Sequence, residues 1–303
     1  MRIAVLLTCY NRCKKTQRCL ESLVEALRVY NKCERDDKAI SIEIYLTDDG
    51  CTDGTAEAAR MSVNDVCPIH IIQGKGDLFW AGGMRLCWRE AIKRHSDWDY
   101  YLLLNDDVEL LPQLFKELLK ALDYSRSNFG KVGLVSGTTC SIDKATEMTY
   151  GGYVWKNKLF ATYQRVIPYG EPQICDLTNA NVLLVPKTVV DKIGIFYEGY
   201  RHGKADFDYS NKARKAGIPV VITASFCGKC DHDHNDYSAE AQKVMAMNLN
   251  ERKRYFNHPL HSINDYLTLV RRMTPLRLPI VMIGRFLNVY FPKFYYRMSG
   301  VRF

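Results

Sequence analysis

The chain has 303 residues, 47% of them hydrophobic, and a formal net charge of +8, enough apolar material for one large domain or one and a half. No acidic residue follows Asp265, whereas Arg271, Arg272, Arg277, Arg285, Lys293, Arg297 and Arg302 do, and the 35 basic and 34 acidic groups before Arg271 nearly cancel. A near-neutral body argues against nucleic-acid binding and assigns the basicity to a tail with its own partner. No run reaches the ~18 apolar residues of a spanning helix, and MRIAVLLTCYNR turns polar too soon for a signal peptide. Eleven cysteines, an odd number scattered singly, read as reduced thiols in the cytoplasm.

Ile3–Leu7 is an aliphatic run, and Leu20, Leu23, Val24 and Leu27 then recur at helical spacing. Ile42–Thr47 is the next strand, followed by a helix from Asp53 to Arg60. Pro68–Ile72 is a third strand, and Met84–Lys93 carries Met84, Cys87, Trp88 and Ala91 on one helical face. Tyr100–Leu104 is the fourth strand, with a new helix beginning at Pro112. Strands this apolar, separated by helices, indicate an α/β fold with a mostly parallel central sheet and helices on both faces. Further on, Val132–Ser136 reads as a strand, Met148–Arg165 as a hairpin or excursion, and Asn181–Val185 and Pro219–Thr223 as strands. Between these last two lie helices at Lys187–Ile193 and Asp208–Lys215, the second ending at Gly217.

In parallel sheets ligands bind beyond the carboxyl ends of the strands. Those ends are Thr8–Arg12, Asp48–Gly50, Gln73–Gly76 and Asn105–Asp107, all polar and two with paired carboxylates. Adjacent carboxylates repel unless something positive lies between them. A divalent cation answers that need, because Mg²⁺ and Mn²⁺ take one or two carboxylates together with substrate phosphates. Asp107, with Asn105 on the same face, could hold such an ion, while Asp106 points the other way. The alternative is a polar turn that pre-caps the helix at Pro112. Asp49 could accept from a nucleobase N–H, Tyr10 could stack on the base, and Thr8 and Arg12 lie on the same rim. A turn with Asp53 as helix cap accounts for Asp53 but leaves Asp48 and Asp49 unexplained.

The segments TCYNR, TDDGCTDGT, KGDLFWAGGMR and LLLNDDVEL, in that order, resemble the family 2 glycosyltransferases of the GT-A fold, and within them the rhamnosyltransferase-like branch that builds bacterial surface polysaccharides. The resemblance implies a nucleotide-diphosphate sugar donor, Mn²⁺ or Mg²⁺ as cofactor, and inverting transfer to a glycan or lipid-linked glycan acceptor. It places Asp49 on the base and Asn105 and Asp107 at the metal motif, where the commoner first residue is Asp, so Asp107 carries most of the contact. In that picture Gly82 and Gly83 let the backbone approach a ligand at a helix N-terminus that favours phosphate, and Arg85 adds charge on the diphosphate. Phe79 and Trp80 line the sugar site or belong to the core.

Family members carry an acidic pair before a helix, one carboxylate of which acts as catalytic base. The matching segment is HGKADFDYSNKARKAG, with Ala205 at the Glu position, so Asp206 is the candidate base and Asp208, a plausible helix cap, its rival. In CGKCDHDHNDYS, His232 and His234 would share one face of a strand; the resemblance implies a histidine there on the metal or diphosphate, and a zinc site with Cys227 and Cys230 is the alternative. Residues 1–269 are read as the catalytic domain. Residues 270–303 are a basic, apolar extension that either anchors at the inner face of the plasma membrane or packs on the body. A non-catalytic nucleotide-sugar or glycan binding protein and a metal-dependent nucleotidyltransferase are the competing readings.

Overall fold

The computed structural model describes residues 1–35, 38–63, 66–231, 237–261 and 263–300. β1 (Arg2–Cys9) leads to α1 (Cys13–Cys33), β2 (Ser41–Asp48) to α2 (Thr55–Val63) and β3 (Ile69–Gln73) to α3 (Phe79–Arg94), and β4 (Tyr100–Leu104) ends at the acidic segment. These strands are parallel in the order β3-β2-β1-β4. Leu102 and Leu104 of β4 pack with Leu20 and Leu23 of α1, and Leu103 with Met84 and Trp88 of α3, so both faces of the strand are buried. Each such leucine contributes roughly 2 kcal/mol.

The chain continues through β5 (Glu109–Leu110), α4 (Leu114–Phe129), β6 (Leu134–Cys140), β7 (Gly152–Asn157), β8 (Thr162–Arg165), β9 (Gln173–Ile174), β10 (Leu177–Thr178), β11 (Val182–Pro186), α5 (Lys187–Ile193), α6 (Ala205–Lys215) and β12 (Val220–Lys229). β11 inserts antiparallel between β4 and β6, and β12 runs parallel to β6, completing a nine-stranded, mostly parallel sheet. The expected excursion is the β7–β8 hairpin, which with β10 forms a small separate sheet. α6 begins at Ala205, three residues ahead of the expected Asp208, so Asp206 and Asp208 both occupy its first turn. It ends as expected, with Gly217 at φ +72°.

The last elements are α7 (Tyr237–Ala246), α8 (Leu249–Asn257), α9 (Ile263–Met273), α10 (Leu278–Tyr290) and α11 (Pro292–Met298). Asn248 and Glu251 start α8 with a reciprocal capping box. α9 runs unbroken through the 269/270 boundary drawn from the sequence, and its Arg272 pairs with Asp208 of α6, so Arg271 and Arg272 belong to an element of the body. α7, α8, α10 and α11 share a small core of Ala241, Val244, Phe256, Val289 and Tyr296. Among the described residues no helix is long and apolar enough to cross a membrane.

Candidate active site

β1, β2, β3 and β4 deliver their polar ends to one rim. At the end of β4 the positive group between the carboxylates is Arg12, whose guanidinium reaches Asp106 Oδ1 at 3.1 Å and Asp107 Oδ2 at 2.5 Å. Asp106 also accepts from Thr16 Oγ1 at 3.2 Å, and burial pushes its pKa up to about 7 despite Arg12. Asp107 Oδ1 is buried and accepts no hydrogen bond. Asn105 Oδ1 accepts from the Trp80 indole N–H at 2.8 Å, so one lone pair of the amide oxygen at the metal-motif position is already engaged. Trp80 thereby orients Asn105, a partnership the sequence did not suggest.

Both acids at the end of β2 have local work. Asp48 Oδ1 accepts from the N–H groups of Gly50 and Cys51 at 3.1 and 2.7 Å. Asp49 is buried, and its carboxylate accepts from the N–H groups of Gly76, Leu78 and Phe79 at 2.9, 2.9 and 3.1 Å. Asp49 therefore holds the loop that enters α3 and caps that helix from another strand; in this arrangement its oxygens accept from three backbone N–H groups. The N–H groups of Ala81 and Gly82 donate to the Arg201 carbonyl at 3.2 and 3.4 Å. At the start of α3, where the phosphate position is expected, the N–H groups of Phe79, Ala81 and Gly82 thus have protein acceptors.

Of the two glycines expected near a ligand, Gly82 and Gly83, the second makes a close approach to protein. A Cβ at Gly83 would lie 2.1 Å from Thr8 Oγ1, so this glycine lets α3 pack on β1, with Thr8 filling the space. Arg85 is buried, donates to the Tyr197 carbonyl at 3.2 Å and pairs with Glu198 at 3.2 Å, tying α3 to the segment after α5 instead of reaching the rim. Tyr10 is 56% exposed beside Asn11, which takes the left-handed φ of +50°. Phe79 is no core residue: its ring stands edge-on to His202 and His258 at 6.3 and 5.7 Å.

Asp206 joins the rim through β11. Its Oδ2 accepts from Ala180 N–H at 3.3 Å and Asn179 Nδ2 at 3.4 Å, and Asn181, next in sequence, accepts from Asn105 N–H at 3.0 Å through its carbonyl. Asp206 is half-buried as a residue, and desolvation of its carboxylate raises its pKa. Asp208 is instead buried and held by Arg272 Nε at 3.0 and 2.9 Å from its two oxygens, which removes it as a rival base. It is not the helix cap either; Lys204, at φ +71°, occupies that position.

The profile of the glycosyl transferase family 2 matches residues 4–180, more than half of the chain. The chain belongs to glycosyl transferase family 2. A search of curated proteins finds no match for it. Among solved structures it is similar to the mannosyltransferase PcManGT from Pyrobaculum calidifontis in complex with GDP-Man and Mn²⁺, at 14% identity over 99% of this chain and 73% of that one, TM-score 0.55. It is similar to S. aureus TarS 1–349 in complex with UDP, at 12% identity over 91% and 72% of the two chains, TM-score 0.52. A third is GalNAc-T7 with UDP, GalNAc and Mn²⁺, at 12% identity over 77% of this chain and 44% of that one, TM-score 0.55. The fold of this family 2 glycosyltransferase is GT-A.

Several residues that shape the family 2 site escaped the sequence reading. Asp265 of α9 accepts from the N–H groups of Arg201, His202 and Gly203 at 3.1, 2.8 and 3.0 Å, fixing the loop that presents Asp206. Its only sequence signal is its place as the last acid of the chain. Cys227 and Cys230 belong to no cluster of metal-type ligands among the described residues, and His232 and His234 lie outside those residues. Cys9, Asp48 and Cys51 do cluster, with ligand atoms within 4.8 Å of one another. Two thiols suit a thiophilic ion rather than Mg²⁺ or Mn²⁺. For a hard cation the fitting donor is Asp107, with its unpaired buried oxygen.

Proposed function

We propose that the protein is an inverting, metal-dependent glycosyltransferase that moves a sugar from a nucleotide diphosphate donor to a hydroxyl of a glycan or lipid-linked glycan in surface polysaccharide synthesis. The observation that carries this reading is the buried, unpaired Asp107 Oδ1 beside Arg12, on the rim that Asp206 also joins. Mn²⁺ or Mg²⁺ held by Asp107 would neutralise charge on the departing diphosphate. The similar structures that carry GDP-Man and Mn²⁺, or UDP, support a donor of this class.

The residues divide the work. Arg12 adds positive charge next to the diphosphate, and exposed Tyr10 offers its ring to the base. Asp206 acts as general base: the acceptor O–H proton passes to its carboxylate as the acceptor oxygen bonds to the anomeric carbon and the bond to the diphosphate oxygen breaks. The raised pKa of Asp206 makes it a stronger base for that transfer. Asp265 positions Asp206 through the 201–203 loop, and Arg272 keeps Asp208 out of the reaction.

The motifs favour a deoxyhexose such as rhamnose as the first donor to try. Leu276, Ile280, Ile283, Phe291 and Phe294 are exposed on the tail among Arg277, Lys293 and Arg297, a composition that suits an anionic membrane surface. Thermal shifts with a panel of nucleotide diphosphates and sugar nucleotides, each with and without Mn²⁺, test the donor site. One nucleotide is expected to stabilise wild type only with metal and to lose the effect in Asp107→Ala; stabilisation by none would remove the transferase reading.

A further inference from the structure

The C-terminal helices contain a concavity of their own. α8, α9 and α10 enclose a groove of about 370 Å³ with walls of Phe256, Leu267, Met282, Phe286 and Val289. Met282 and Phe286 are each 52% exposed, although both are large apolar side chains. Lys253 and Arg285 also line it. Arg285 is held in place by neutral oxygens, with Nη1 on Asn264 Oδ1 at 3.0 Å and Nη2 on Asn257 Oδ1 at 3.2 Å. Lys253 lies over the Tyr290 ring at 5.3 Å. Among the described residues neither cation forms an ion pair with a carboxylate. A guanidinium oriented by two amides and left without a counter-charge is prepared for an anion.

The groove also points toward the chemistry. Asn257, in its wall, precedes His258, whose ring stands 5.7 Å from Phe79. Phe79 opens α3 and donates its N–H to Asp49 on the donor rim at 3.1 Å. The helix end that carries Asn257 thus leads, through His258, to the Phe79 ring.

We propose that this groove receives the hydrocarbon chain of a phosphorylated lipid, with Arg285 and Lys253 taking the phosphate, and so brings a lipid-carried acceptor to the rim beside Phe79. This rests on the glycosyltransferase reading for its purpose. The groove needs an apolar cover and its cations need an anion, and a lipid phosphate supplies both in one molecule. A second copy of the chain fits less well. It would bring its own tail of seven basic and no acidic residues after Asp265 against the same cations.

The test uses full-length protein and dodecyl phosphate below its micelle concentration, followed by isothermal titration calorimetry. Inorganic phosphate, dodecyl maltoside and vesicles containing an anionic lipid are run beside it. Dodecyl phosphate is expected to bind at least tenfold more tightly than inorganic phosphate or dodecyl maltoside. Arg285→Gln and Met282→Trp, the latter filling the trough, are each expected to weaken it at least tenfold while leaving nucleotide-induced thermal shifts unchanged. If Met282→Trp does not fold, Arg285→Gln decides alone. No binding of dodecyl phosphate, equal binding by Arg285→Gln, equal binding of dodecyl maltoside, or binding only to vesicles would each overturn the proposal. So would a dimer in solution that covers the groove and excludes dodecyl phosphate. Dodecyl phosphate binding without any nucleotide response would keep the lipid site and remove the transferase reading, so the two claims fail separately.

Discussion

Arg12→Met removes the cation that joins Asp106 and Asp107 and leaves their carboxylates facing one another in a buried setting. Removing one partner of a buried ion pair costs about 3–5 kcal/mol. The Arg12 side chain is 33% exposed, so water screens part of the interaction. The expected loss is therefore about 2–3 kcal/mol, which for a chain of this size lowers Tm by roughly 5–10 °C. A divalent cation can occupy the space the guanidinium leaves, so Mn²⁺ should recover much of that loss in the variant while changing wild type without nucleotide far less. Differential scanning fluorimetry near neutral pH, with Mn²⁺ and with a chelator, measures both effects. A variant that melts like wild type, or that loses stability and gains nothing from Mn²⁺, would refute the reasoning that a divalent cation can stand in for Arg12 between the acids at the end of β4.

Arg272→Met leaves Asp208 buried without its partner and is expected to cost about 3 kcal/mol, read as a lower urea midpoint. Adding Asp208→Asn should return most of it, and failure of that rescue would show that Arg272 acts through Tyr197, over whose ring it lies at 4.0 Å. Asp106 has a folded pKa of about 7, above the unfolded value of about 3.9. The folded state binds more protons within that window, so Asp106 contributes stability that is fully present below the unfolded value and is lost as pH rises through the folded one. Urea melts across the window should show Asp106→Asn with a flatter pH dependence than wild type; an unchanged slope would contradict it.

The parts of the fold that the sequence announces are those whose signal is local. β4 and α5 fall at their expected residues because an unbroken apolar run and a strand-ending Pro186 mark them plainly. The starts of α3 and α6 were missed because nothing in the adjacent sequence caps them. Asp49 and the Arg201 carbonyl cap α3 from a distance, and α6 follows a lysine in left-handed geometry. The direction of β11 was equally hidden, since an antiparallel buried strand is as apolar as a parallel one.

The site divides in the same way. That acids converge on the rim was legible from strand-end composition; how each carboxylate is used was not. Asp48 and Asp49 accept from backbone N–H groups of two loops, one of them met 27 residues later at Gly76. Arg12 meets Asp107 across 95 residues of sequence, which no local pattern encodes. Gly83 looked like space for a ligand and is space for Thr8. His232 and His234 lie outside the described residues.

The central claim is that Asp206 takes the acceptor proton on a rim that binds the donor through Asp107. The most direct test measures transfer of radiolabelled sugar, from the nucleotide donor the thermal panel selects, into the lipid and glycan fractions of source membranes, by wild type and by Asp206→Asn in parallel. Wild type is expected to label an acceptor, and Asp206→Asn to bind the donor with the same Kd while transfer falls by at least about a hundredfold. Transfer by Asp206→Asn at the wild-type rate would contradict the account.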